Sequence, residues 1–148
     1  MNVNSFKKVV SELLIELGFE KRQNSFYKRN NDLIYIIHLQ KSKHSDDFYF
    51  NLGYVIKELH QGLNYPKDTD GDIRTRFSLM AKDRETDFLV LSELPPTIEV
   101  DYIKGFLNKN ISELIDDVDK NGIRWLLDKD PTLLYQTSLQ AREYLGIL

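Results

Sequence analysis

The sequence predicts an α+β fold: an N-terminal helix, a four- or five-stranded antiparallel sheet arranged as a meander, and two or three C-terminal helices packed on one face of it. Three stretches carry that expectation. Residues 33–54, LIYIIHLQKSKHSDDFYFNLGY, read as two strands around a polar turn; residues 4–17 repeat apolar positions at helical spacing; Pro95-Pro96 marks the change from sheet to helix. With 148 residues and 41% hydrophobic content, the chain is expected to be one domain, 1–148, sheet-rich over 1–91 and helical over 97–148.

In the first helix Phe6, Val9, Val10, Leu13 and Leu17 line up on one face. Gly18 suits the left-handed position that ends a helix, and Phe19 then packs back on the helix end. Ser25 to Arg29 reads as a first strand, closed by the turn-forming run Asn30-Asn31-Asp32. In the hairpin that follows, side chains alternate. Leu33, Tyr35, Ile37, Leu39, Phe48, Phe50, Leu52 and Tyr54 fall on one face, and Ile34, Ile36, His38, Gln40, Ser42, Tyr49, Asn51, Gly53 and Val55 on the other. One face is apolar throughout, and the other turns polar at Gln40, Ser42 and Asn51.

The stretch after Tyr54 reads as a strand end passing into a loop. Ile73 to Met80 regains alternation as a fourth strand, with Arg74 and Arg76 on one face, and Phe88 to Leu91 reads as a fifth strand or an extended segment. Thr97 is the expected cap of a helix carrying Ile98, Tyr102, Phe106 and Leu107. Gly105 and Asn108-Lys109-Asn110 are where that helix is expected to split, and Asn121-Gly122 is where it stops. Asp130-Pro131 is a start signal for a last helix with Leu134, Ala141 and Leu145.

Composition narrows the function. Without cysteine there is no disulfide scaffold, cysteine nucleophile or thiolate metal site. Lys7, Lys8, Glu12 and Glu16 interrupt the N-terminal apolar residues, so neither a signal peptide nor a membrane span is expected, and the reading is a cytoplasmic protein with no membrane partner. The net charge is -3, unevenly spread: residues 1–84 hold 14 basic and 11 acidic side chains, and residues 85–148 hold 6 and 12. That is far from the basic footprint of a nucleic-acid binder. The acidic half is either a solvated helix surface or a face for a basic partner.

Several segments together carry a resemblance: Leu17-Gly18-Phe19, Phe26-Tyr27, Leu39-Gln40-Lys41-Ser42, Phe48-Tyr49-Phe50-Asn51-Leu52-Gly53, and Asp72-Ile73-Arg74-Thr75-Arg76-Phe77. Over about residues 13–80 the chain resembles the bacterial family called domain of unknown function four-three-zero-four. In that family a histidine often stands where this chain has Asp72. The resemblance implies a small α+β bacterial protein and brings no catalytic residue with it.

Few constellations carry chemistry. Asp68, Asp70 and Asp72 around Gly71 are similar to an oxygen-rich cation loop, but the glycine and the closing glutamate are out of place, and a plain acidic loop is the better reading. His38, His44 and His60 form no ligand pair, and His38 reads as a satisfied sheet residue. With no glycine-rich phosphate loop and no GxSxG elbow, neither a cofactor nor a metal is expected and the enzyme reading is weak.

The candidate site is Gln40, Ser42, Asn51, Arg74 and Arg76, which alternation gathers on the polar face; two arginines with amide and hydroxyl neighbours suit a carboxylate or a phosphate. The bland alternative is a solvated sheet face. Tyr27, Tyr35, Phe48, Tyr49, Phe50 and Tyr54 beside Lys28, Arg29, Lys41 and Lys43 raise single-stranded nucleic acid as a third reading. The leading expectation is a non-enzymatic binding protein with a protein partner, of toxin-neutralising (immunity) or phage-conflict type. The second is a domain holding an anionic small ligand or substrate through Arg74 and Arg76.

Overall fold

The computed structural model describes residues 3–41, 43, 48–78 and 96–147, and the fold is α+β. Helix α1 (Val3–Glu16) is followed by strands β1 (Glu20–Arg22), β2 (Ser25–Arg29), β3 (Leu33–Lys41), β4 (Phe48–Ile56) and β5 (Ile73–Ser78). They form one antiparallel sheet in the order β1-β2-β3-β4-β5. Helices α2 (Pro96–Ile111), α3 (Asp117–Asn121), α4 (Ile123–Lys129) and α5 (Leu139–Leu145) follow, with a π turn at Ser112–Asp116 and a 3₁₀ turn at Pro131–Gln136.

α1 ends as its sequence requires. Gly18 has φ +94°, and the amides of Gly18 and Phe19 donate to the carbonyls of Ile15 and Leu14, closing the last turn while Phe19 is buried. Phe6, Val10 and Leu14 are fully buried, with Val9, Leu13 and Leu17 packed at their flanks.

The apolar face of the sheet, from Phe26 through Tyr35, Ile37, Phe50 and Tyr54 to Ile73 and Phe77, shares one hydrophobic cluster with α1 and the C-terminal helices. Its aromatic contacts are specific. Phe6 meets Phe48 at 4.6 Å between ring centroids, and Phe50 stacks on Phe77 at 5.0 Å. The two tyrosines on this face keep their hydroxyls paired: Tyr54 donates to the Leu114 carbonyl in the π turn (2.7 Å), and Tyr35 donates to Asp119 Oδ1 (2.7 Å).

The second face is not uniformly polar. Tyr27, Ile34, Ile36 and Val55 form a smaller buried cluster. Residues 57–72 fold back over this face as a strap, with 3₁₀ turns at Lys57–Leu59 and Asp68–Asp70. Tyr27 donates its hydroxyl to the Pro66 carbonyl at 2.9 Å, and burial pushes that hydroxyl's pKa up. The strap touches β4 at Gly53, where an added Cβ would lie 3.0 Å from the Asp68 carbonyl oxygen.

Four sequence expectations are corrected and one helix is added to them. Ser25–Arg29 is not the first strand: Glu20–Arg22 precedes it, an all-exposed trio with no alternation to betray it, joined by a turn in which Gln23 takes φ 55°. α2 begins at Pro96, whose fixed φ fits a first helical position, so Thr97 lies inside the helix instead of capping it. The helix passes through Gly105 and Asn108–Asn110 without splitting, the Asn110 side chain donating to the Phe106 carbonyl, and it widens only at the π turn. α4, which begins directly after Gly122 (φ +90°), was not foreseen. Asp130-Pro131 opens the 3₁₀ turn; the last helix starts later, where Ser138 Oγ accepts from the Ala141 amide. The expected strand at 88–91 and the residues Ser42, Leu79 and Met80 lie outside the described residues.

Candidate functional site

The strand register places Ser25 beside His38, His38 beside Asn51, and Asn51 beside Arg76, so one row of polar side chains crosses β2, β3, β4 and β5 at the edge of the strap. Its members are linked. Ser25 Oγ lies 3.2 Å from His38 Nδ1, Arg76 Nε donates to Asn51 Oδ1 at 2.8 Å, and Asn51 Nδ2 donates to Gln40 Oε1 at 2.8 Å. The Arg76 guanidinium also stands over the Tyr49 ring, 4.4 Å from its centroid. An amide that accepts from the arginine and donates to the glutamine fixes the guanidinium plane from one side and leaves its remaining donors outward.

Arg74 occupies the next position on β5, opposite Gly53. Its stem lies against Gly71, and its exposed guanidinium has no hydrogen-bond or ion-pair partner among the described residues. Asn51, Asp68, Arg74, Arg76 and Gln136 line a cleft of about 410 Å³ between β5, the strap and the C-terminal 3₁₀ turn. Of the five side chains named from sequence, Gln40, Asn51, Arg74 and Arg76 thus share one face, three of them in one hydrogen-bonded chain; Ser42 lies outside the described residues. His38 takes part as a bonded sheet residue.

Sequence reasoning put Tyr49 on the same face as Asn51 and Asp68 in an acidic loop but assigned neither to the site, and it did not single out Gln136. Gln136 and Asp68 reach the cleft through tertiary folding, which no local pattern reports.

The three aspartates of the loop go to three different tasks. Asp72 is 3% exposed and accepts from the Ile56 amide (2.7 Å) and from His60 Nε2 (2.9 Å). Asp70 caps its own turn by accepting from the Lys67 amide, and Asp68 faces the cleft. Among the described residues no group of three or more His, Cys, Asp or Glu could hold a metal ion. No helix among them is long and apolar enough to cross a membrane.

An antiparallel five-stranded meander backed by helices, with paired arginines on its open face, defines an α+β protein carrying a basic cleft on a sheet. The chain belongs to the family described as Domain of unknown function (DUF4304), whose model matches residues 10–121 and so covers the second half of α1, the sheet and the helices through α3. Neither a curated protein nor a solved structure matches it.

Proposed function

We propose that this protein is a non-enzymatic binding protein that takes an anionic group, foremost a carboxylate side chain of a protein partner, into the cleft formed by Arg74 and Arg76. The observation that carries the reading is the pairing of two unlike arginines: Arg76 is held in orientation by Asn51 and Tyr49, while Arg74 beside it has no partner among the described residues. An oriented guanidinium needs little reorganisation on binding, and an unpaired one loses no existing partner. A toxin-neutralising or phage-conflict role is the biological setting this reading fits. Support for a protein partner comes from the uneven charge along the chain and the openness of a groove bounded by strap and strands.

Binding of a free anionic metabolite is the second reading, favoured by the size of the cleft, which falls in the range of small-ligand sites. Calorimetric titration with a hexaglutamate peptide, and separately with N-acetylglutamate and inorganic phosphate, tests both. Arg74→Ala and Arg76→Ala are each expected to weaken the peptide about 10-fold, since one charge-assisted hydrogen bond contributes roughly 1.5 kcal/mol or more. Tight binding of the small anions alone would move the conclusion to the metabolite reading. Peptide binding indifferent to both substitutions, or none at low salt, would overturn the proposal.

A further inference from the structure

A second, larger cleft of about 810 Å³ opens on the same sheet face, over β1, β2 and β3, and is lined by Arg22, Ser25, His38, Tyr65, Lys67 and Asp68 among others. Asp68 borders both clefts. The row Ser25–His38–Asn51–Arg76 runs from one to the other beside the strap, so the two clefts are the ends of one groove. Adjacent strands lie about 4.8 Å apart, which makes the row from Arg22 on β1 to Arg76 on β5 roughly 19 Å long. Basic side chains stand at its ends, Arg22 and Lys67 at one and Arg74 and Arg76 at the other, and a carboxylate lies between.

The aromatic rings along the groove are already covered. Arg22 lies 3.5 Å and Arg29 4.9 Å from the Tyr65 ring centroid, and Arg76 covers Tyr49. Nucleic-acid bases need open ring faces to stack on. Carboxylates need only the outward guanidinium edges.

We infer that the groove binds an extended peptide segment bearing two acidic residues separated by a neutral spacer, one held by Arg74 and Arg76 and the other by Arg22 and Lys67. This rests on the reading of the first cleft given above and deepens it. An extended chain advances about 3.3 Å per residue, so acidic side chains six positions apart, which project to the same side, span the groove. Asp68 repels a third carboxylate placed between them and thereby sets the spacing.

Fluorescence anisotropy with labelled peptides tests the inference on the intact protein. The peptides are Glu-Thr-Ser-Thr-Ser-Thr-Glu, its isomer Glu-Thr-Glu-Ser-Thr-Ser-Thr, and a Glu-Thr-Ser-Thr-Ser-Thr-Ser control. The first is expected to bind on the order of 100-fold more tightly than the control, because its second acid binds at high effective concentration. Lys67→Ala combined with Arg22→Gln should reduce it to the level of the control while leaving the control unchanged. Arg74→Ala should weaken both.

Equal affinity of the two isomers, or indifference to the Lys67 and Arg22 changes, overturns the two-acid groove and leaves the first cleft standing. A control peptide that does not respond to Arg74→Ala removes the first cleft as well. A single-stranded oligonucleotide that displaces the peptide with steep salt dependence would also overturn the peptide assignment.

Discussion

Asp72 joins several parts of the fold. Its carboxylate is buried and accepts from the Ile56 amide at the end of β4 and from His60 in the strap. Its own amide donates to the Tyr54 carbonyl, and its carbonyl accepts from the Ser138 amide that precedes α5. One residue therefore ties β4, the strap, β5 and the last helix together. Asp72→Ala leaves the buried Ile56 amide and the partly exposed His60 without their acceptor and is expected to cost about 3 kcal/mol, read as a lower urea midpoint at unchanged slope. A loss below about 1 kcal/mol would show that water replaces the carboxylate. None of this was legible in the sequence, where Asp72 is the last of three alternating acids in a polar loop. What turns it inward is its place immediately before β5, and that is fixed by pairing with β4. Arg76 and Asn51 show the opposite case, since alternation alone put them on one face, and only the choice of neighbour within that face needed coordinates.

At the level of elements, the meander was readable because its long strands are rich in β-branched and aromatic residues, whereas the strap was not. A polar loop with Gly62, Asn64 and Pro66 has no periodicity, and its course over the sheet depends on the contact of Gly71 with Gly53. Any side chain at Gly53 meets backbone: a Cβ there would lie 3.0 Å from the Asp68 carbonyl oxygen. Gly53→Ala is therefore expected to lift the strap, costing about 1–3 kcal/mol in stability and weakening anion binding through displacement of the Arg74 stem that lies against Gly71. Thermal denaturation together with peptide titration checks it; an unchanged melt with unchanged affinity would mean the strap is not fixed at this point. The C-terminal helices were legible as helical periodicity but not as boundaries. Ser138 outcompetes Asp130 as the start of α5 because its hydroxyl reaches the Ala141 amide, while Asp130 Oδ1 is engaged by the Thr132 hydroxyl.

For the whole molecule, the buried tyrosines make folding sensitive to alkaline pH. Burial, reinforced by the hydrogen bond to Asp119, raises the pKa of Tyr35 well above the usual tyrosine range, and burial alone does the same for Tyr54. Below about pH 10, where unfolded tyrosines are still protonated, this contribution is complete. As pH rises further the unfolded chain loses protons that the folded chain retains. Stability then falls by about 1.4 kcal/mol per pH unit for each tyrosine. Urea midpoints between about pH 9 and pH 11.5 should show this decline, with a shallower slope in Tyr35→Phe and in Tyr54→Phe; equal slopes in all three proteins would contradict it. The same molecule-wide view separates its two sides: helices and aromatic rings close one face of the sheet, and on the other the strap leaves a polar row open. Amide NMR shifts followed during titration with the Glu-Thr-Ser-Thr-Ser-Thr-Glu peptide test that division most directly. A binding groove on the open face predicts saturable changes at Asn51, Arg74 and Arg76 and at Ser25 and His38. Changes confined to the C-terminal helices, or none at millimolar peptide, would contradict it.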